Sequence, residues 1–293
     1  MEKQLKLEMQ PINIPLTYNY IGVFLTFACN LHCSYCINYF ERGLIKRKII
    51  PGEDWVRLLN RINSRPDLPV TLQGGEPTLH PDFIYIVNNL KPQLHIDVLT
   101  NLCFDIERFM QSVDPQRIKR SSPYASIRVS YHPETMKLDE TVQKVLRLLD
   151  KGYSVGIWSV LHPYYKEHIL KAQAECQLKG IDFRTKDFLG EYKNILYGTY
   201  KYEGSCSKKN LNKKALCKTT EFLIDSQSDI FRCHHDLYSG VDSIGGLYMQ
   251  DFPIQDIFRP CDYFGLCNPC DVKVKTNRFQ KFGHTSVDIK FLD

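Results

Sequence analysis

The tightest constraint on this 293-residue chain is the octapeptide Cys29-Asn-Leu-His-Cys33-Ser-Tyr-Cys36. It sets three thiols at spacing C-x3-C-x2-C, directly after an apolar, strand-like run from Tyr20 to Phe27. A structural zinc site takes four protein ligands, so three on one loop are one short unless a fourth arrives from elsewhere. Ferredoxin-type runs supply a full set of thiolates at other spacings. Three thiolates can hold three corners of a four-iron cluster and leave the fourth iron open to a ligand.

The next strand-like run, Val70 to Gln73, ends in Gly74-Gly75-Glu76-Pro77-Thr78. A glycine pair lets backbone approach another group closely. A C-x3-C-x2-C loop after a first strand, followed by a GGE-type loop after the second, resembles the radical S-adenosylmethionine (SAM) enzyme superfamily. The resemblance implies a [4Fe-4S] cluster on Cys29, Cys33 and Cys36, whose open iron takes the amino and carboxylate groups of SAM. One electron, from a flavodoxin- or ferredoxin-type donor, would then yield methionine and a 5′-deoxyadenosyl radical that removes a substrate hydrogen. It implies that Tyr35 lies near adenine, that Gly74, Gly75 and Glu76 lie at the methionine amino group, and that Asn101 contacts ribose. Ser130 would contact the ribose hydroxyls or the carboxylate. Each polar residue has the alternative of a satisfied turn role, and Tyr35 that of a packed loop aromatic.

From Tyr20 a strand–helix rhythm runs along the chain. Strands are expected at Tyr20–Phe27, Val70–Gln73, Leu94–Leu99, Ala125–Ser130, Tyr153–Leu161 and Ile181–Phe188. Helices are expected at Glu53–Asn63, from Pro81 through Leu90, near Ile106–Val113, at Thr135–Leu149 and at Pro163–Leu178. In the first, Trp55, Leu58, Leu59 and Ile62 share a face. Strands alternating with helices imply an α/β fold with a parallel sheet and helices outside it. Six units are too few for a closed eight-fold barrel, and the resemblance implies an open, partial (β/α)6 TIM-like barrel. Sites in such folds lie at the C-terminal ends of the strands. Strand alternation turns Ile127 and Val129 toward the helices and Ser126, Arg128 and Ser130 toward the lumen; by the same logic Arg184 and Lys186 point inward. Buried cations are costly unless paired, so either a cavity holds anionic or polar ligands or these side chains reach solvent at strand ends. Arg128, His132 and Lys186 are candidate catalytic groups. So is Cys103, as a hydrogen-atom donor, although a free cysteine is more often a small hydrophobe. Cys176, inside a helix, reads as structural.

After Gly190 the rhythm stops. Glu191–Gly204, rich in Tyr and Gly, reads as a linker, and six of the eleven cysteines follow it. Phe222–Arg232 reads as a β-hairpin, with Cys217 and Cys233 flanking it and a Cys267-Asn-Pro-Cys270 knuckle beyond. This spacing resembles the twitch (SPASM-like) auxiliary domain of some radical SAM enzymes, which implies a second [4Fe-4S] cluster on Cys217, Cys233, Cys267 and Cys270, with Cys261 as an alternative ligand. A four-cysteine zinc site fits the same spacing, and His234 and His235 are either surrogate ligands or loop residues. The division expected is an arm at 1–19, a barrel at 20–190 and a linker with auxiliary region at 191–293.

Eleven cysteines without a secretion signal argue for metal or redox chemistry in a reducing, cytoplasmic compartment. The N-terminus has no apolar core of signal length, and no run is long enough to cross a membrane. The arm leaves no room ahead of the first strand for a peptide-recognition domain. A net charge of +5 is not the basic footprint of a nucleic-acid binder. The local cluster Lys208, Lys209, Lys213 and Lys214 reads as a solvated loop. The preferred activity is oxidation (dehydrogenation) of a polar small molecule such as a sugar, aminocyclitol or nucleotide-linked substrate. The alternatives are peptide cross-linking or epimerisation and, in another class, a thiolate-zinc binding module.

Overall fold

The computed structural model describes residues 9–37, 47–207, 211–275 and 284–292. Lys208 and Lys209 of the basic cluster, and residues 1–8 of the arm, lie outside them. The central sheet begins with six parallel strands in chain order: β1 (Tyr20–Thr26), β2 (Val70–Gly74), β3 (Ile96–Thr100), β4 (Ile127–Ser130), β5 (Val155–Leu161) and β6 (Phe183–Asp187). Between them run α1 (Gly52–Leu59), α2 (Phe83–Asn89), α3 (Ile106–Ser112), α4 (Pro115–Ile118), α5 (Leu138–Asp150) and α6 (Lys166–Leu178). Alternate strand residues such as Val23, Leu72, Val98, Val129 and Ile157 share one core with Trp55, Leu58, Val87, Phe109, Val145 and Ile169 of the helices. Cys176 is fully buried in that core. The sheet is parallel over these strands and open, as expected of a partial TIM-like barrel.

Three helix starts and stops depart from the periodicity, each for a local reason. Helix α1 ends at Leu59, and Ile62–Asn63 instead pairs as a two-residue parallel strand with Ile12–Asn13. Ile62 keeps its expected burial in that conformation. Helices α5 and α6 begin three residues later than expected, at Leu138 and Lys166. Residues 132–135 and 162–165 are held as turns, closed by Thr135 N–H to His132 O and Tyr165 N–H to His162 O. Both turns face the cysteine loop.

The sheet does not stop at β1. After β7 (Ala215–Thr219), strand β8 (Glu221–Ile224) pairs in parallel with β1, in register Glu221 with Tyr20 and Ile224 with Val23. Strand β9 (Asp229–Phe231) returns antiparallel to β8, as the hairpin reading expects, and β10 (Gly245–Gly246) adds an edge. The full order is β10-β9-β8-β1-β2-β3-β4-β5-β6. The hairpin of the cysteine-rich region thus completes the barrel sheet. A separate three-stranded antiparallel sheet sets β7 between β11 (Arg259–Cys261) and β12 (Val287–Phe291). Thr220 alone separates β7 from β8, so one residue joins the two sheets. Two short helices, α7 (His234–Ser239) and α8 (Pro269–Val272), lie between them.

The expected linker is also structured. Gly190–Tyr192 and Ile195–Tyr197 form a hairpin around Lys193 and Asn194, both at positive φ (51° and 62°). A two-residue turn with both central residues left-handed matches strand twist. Tyr192 packs on His162 and Tyr197 on Phe188, which lays the hairpin beside the C-terminal end of the sheet.

Candidate active site and second thiol set

The cysteine loop leaves β1 at its C-terminal end and is seated on the GGEPT loop. Gly75 N–H donates to Thr26 O and Glu76 N–H to Ala28 O, each at 2.9 Å. A Cβ on Gly75 would stand 2.2 Å from Ala28 O, and one on Gly74 (φ +149°) 2.1 Å from Thr26 O. The glycine pair is therefore needed for one loop to lie against the other. Glu76 is buried and accepts four hydrogen bonds, from Thr78 N–H, Thr78 Oγ1, Thr100 Oγ1 and Asn101 N–H, at 2.6–3.2 Å. Its carboxylate ties the end of β2 to the end of β3. Burial raises its pKa, and these donors oppose the rise. Asn101 donates through Nδ2 to Asn30 Oδ1 (2.8 Å) and accepts from Cys103 N–H (2.9 Å), which links β3 to the cysteine loop.

The opposite side of that loop is held by the turn after β4. Cys33 Sγ lies 3.7 Å from Thr135 Oγ1, Ser34 N–H donates to Glu134 Oε2 at 2.8 Å, and Tyr35 OH is 3.2 Å from His132 Nδ1. Tyr35 also stacks on His162, with centroids 4.8 Å apart, and packs near Tyr165. Burial pushes the Tyr35 phenol up, so it stays protonated. Burial lowers His132 to about 4, with Lys186 pushing the same way and Glu134 opposing. His132 is thus neutral near pH 7, and Lys186 lies within electrostatic reach of it. The Ser130 hydroxyl, half-buried at the end of β4, has no partner among the described residues.

The three thiols act on one another. Burial raises Cys29 and takes Cys33 up to about 12, and the neighbouring thiols add to both shifts. Such a set resists ionisation unless a cation joins it; metal coordination deprotonates thiols outright. This donor set, three thiols on one loop beside a docked glycine pair, fits a three-thiolate cluster. The structure brings Tyr35, Gly74, Gly75, Glu76, Asn101, Ser130, His132 and Lys186 to the same end of the sheet. Cys103 is exposed just past Asn101, with burial of its thiol still raising the pKa.

Arg128 is elsewhere. It lies at the start of β4 and is paired at 3.1 Å with Asp97, which also takes Arg120 in a two-bonded pair at 2.8 and 2.9 Å. Both guanidiniums lie over Tyr124. The inward cation is answered by a buried carboxylate at the N-terminal end of the sheet, away from the thiols. Arg184 likewise pairs with Asp182.

The second thiol set is assembled from distant elements. Cys217 on β7 lies opposite Arg259 of β11, so Cys261 is its diagonal neighbour on the same face. The interaction between the two thiols lowers Cys261 and pushes Cys217 up. Cys267 and Cys233 act electrostatically on Cys217, and burial raises both of them. Cys233 caps α7, its Sγ accepting from Asp236 N–H at 3.4 Å. Cys270 acts electrostatically on Cys206, Tyr200, Tyr238 and His234. Cys206, Cys233, Cys261 and Cys267 all pack against the small core that contains Cys217, so the alternative ligand Cys261 stands beside Cys217 on the neighbouring strand. His234 is engaged with Asp271 (Nδ1–Oδ1 2.8 Å) and, at 3.7 Å, with Glu221; His235 packs on Tyr263. Behind this set lies a cavity of about 250 Å³ lined by Cys217, Phe222, Phe231, Phe252, Arg232 and Arg259 among others.

Residues missed by sequence reasoning are Asn30, Glu134, Thr135, His162 and Tyr165. Thr135 and Tyr165 fall in segments read as the first turns of helices, and Glu134 and His162 stand just ahead of those segments, where periodicity gave no reason to look for contacts with the cysteines.

Residues 23–155 match the model of the Radical SAM superfamily, whose members use a [4Fe-4S] cluster and SAM. Among individual relatives, the probable GTP 3′,8-cyclase of Thermococcus kodakarensis is 37% identical over 83 residues, 28% of this chain and 26% of that protein. The GTP 3′,8-cyclase of Actinobacillus succinogenes is 22% identical over 147 residues, 48% of this chain and 43% of that protein. The chain thus spans less than half the length of these relatives. Among solved structures, hexahistidine-tagged anSMEcpe with bound AdoMet aligns with a TM-score of 0.55 at 14% identity, covering 87% of this chain and 83% of that one. Native anSMEcpe with bound AdoMet and Kp18Cys peptide aligns at 0.53 and 13%, covering 88% and 83%. At these identities the likeness is one of fold. Among the described residues, no helix is long and apolar enough to cross a membrane.

Proposed function

We propose that this chain is a SAM-cleaving oxidoreductase in which Cys29, Cys33 and Cys36 hold a [4Fe-4S] cluster with one open iron. When bound, that cluster and SAM supply a 5′-deoxyadenosyl radical for hydrogen abstraction. The carrying observation is the seating of the cysteine loop on the GGEPT loop, with Glu76 fastening the same structure to β3. The protein's own groups orient and exclude water. Tyr35 and His162 form a stacked wall, Asn101 and Ser130 offer polar contacts, and neutral His132 beside Lys186 suits a polar substrate. Cys217, Cys233, Cys261 and Cys267 are proposed to hold an auxiliary [4Fe-4S] cluster that accepts the second electron of a dehydrogenation. A four-thiolate zinc site needs sulfurs about 3.8 Å apart. Among the described residues, the group of three or more ligand atoms within 4.8 Å of one another is Glu221, His234 and Asp271, not a thiol set. The working unit is the barrel of 20–190 completed by strands 221–246, with the small sheet as auxiliary lobe, in a reducing compartment with a flavodoxin- or ferredoxin-type donor.

The relatives named for GTP chemistry support a nucleotide or other polar small molecule as substrate. A peptide substrate is the second reading, favoured by exposed Tyr164, Ile195 and Leu196 beside the same end of the sheet. The test is anaerobic reconstitution with iron and sulfide, then SAM and a strong reductant. The expected products are methionine and 5′-deoxyadenosine, with about eight irons per chain from two clusters. An iron-loaded protein that leaves SAM intact, or a zinc-only protein, overturns the proposal.

A further inference from the structure

The turn after β4 meets the cysteine loop residue by residue, in antiparallel order: Thr135 on Cys33, Glu134 on Ser34 and His132 on Tyr35. These contacts come from one strand end and touch the middle thiol, the next peptide and the ring before the last thiol. We infer that this turn sets the reduction potential of the cluster site, with Thr135 and Glu134 acting as positioning residues of opposite electrical sign. The inference rests on the cluster assignment above.

The physical argument starts from donors. As a ligand, Cys33 is a thiolate and has no proton to give, so in its contact with Thr135 only the hydroxyl can donate. A hydrogen bond to a ligating sulfur stabilises the more electron-rich, reduced cluster and raises its potential. Glu134 does the reverse. Its carboxylate, held by Ser34 N–H one residue from Cys33, puts a negative charge beside a site that must accept an electron. Both side chains lie at the exposed rim, where solvent tempers the effect. His132 contributes alignment through Tyr35.

The experiment is an EPR-monitored redox titration of the full-length, anaerobically reconstituted protein. The signal that changes when SAM is added identifies the first cluster and separates it from any second one. Thr135→Val is expected to move that midpoint to more negative potential, Thr135→Ser to restore it, and Glu134→Gln to move it to more positive potential. Each shift is expected at about three- to tenfold in the reduction equilibrium, which is about 28 to 59 mV for one electron. Glu134→Gln keeps an oxygen to accept from Ser34 N–H, so its effect is one of charge. A merely structural turn would give shifts of the same sign, or unchanged midpoints in iron-loaded variants; either outcome overturns the inference. If Thr135→Val loses its iron, the Glu134→Gln arm decides, a positive shift supporting the inference and an unchanged midpoint overturning it. Wild-type protein that assembles no SAM-responsive cluster would overturn the cluster assignment itself, a result distinct from unchanged midpoints in loaded variants.

Discussion

The two thiol sets of this molecule are built on opposite plans. The first is eight residues of one loop, braced from outside by the ends of β2, β3 and β4. The second, as proposed, draws Cys217, Cys233, Cys261 and Cys267 from two strands, a helix cap and a knuckle. In the first, the ligands are local and their supports distant; in the second, the ligands themselves are distant. A loop of the first kind announces its ligands but hides what holds them. A set of the second kind announces only that thiols are plentiful.

The contrast can be tested by deletion. Cys33→Ala should reduce SAM cleavage to background while leaving the second set's iron in place, read as 5′-deoxyadenosine formed and iron per chain. Cys261→Ala should cut iron by about half, from about eight to about four per chain, with SAM cleavage retained, whereas Cys270→Ala should keep its iron. Equal losses for those two variants would restore Cys270 to the ligand set. Glu76→Ala should destabilise the apoprotein by about 3 kcal/mol, because it strands buried donors. That corresponds to a fall in melting temperature of about 6–12 °C. It should also weaken the first cluster more than the second.

His132 gives a pH signature. Its pKa is about 4 in the folded chain, below the ordinary 6.5. The unfolded chain therefore binds more protons between these values, and folded stability falls as pH drops from 6.5 toward 4. Allowing for its partial exposure, the loss should be about 1–2 kcal/mol. His132→Gln should flatten that part of the apoprotein's melting-temperature profile. The smallest effect is expected from Arg128→Met. Asp97 keeps its two-bonded partner Arg120, so stability should change by about 1 kcal/mol or less, and SAM cleavage should be unaltered.

Much of the fold was legible because apolar alternation and helical periodicity both report burial. Val98, Val129 and Ile157 face the helices as their spacing requires. The same logic turned Arg128 inward correctly but was blind to height along the strand. Alternation names a face and does not tell the N-terminal end, where Asp97 waits, from the C-terminal end, where the thiols are. The helices expected from Thr135 and Pro163 start three residues later, because the backbone there first closes turns through Thr135 N–H to His132 O and Tyr165 N–H to His162 O, which apolar spacing does not register. The pairing of β8 with β1 was illegible for another reason: a run of four residues such as Glu221–Ile224, three of them apolar, carries no mark of which strand it will join.

That pairing has a consequence for how the molecule comes into being. A chain made from its N-terminus has Cys29–Cys36 in hand early, yet one side of β1 stays bare until Glu221–Ile224 follows. A bare strand edge invites neighbouring chains, and contacts this far apart close slowly. Iron is thus best delivered late, after the chain's last third has sealed the flank of its first strand. Shortened versions ending before residue 221 should clump rather than serve as a minimal catalyst.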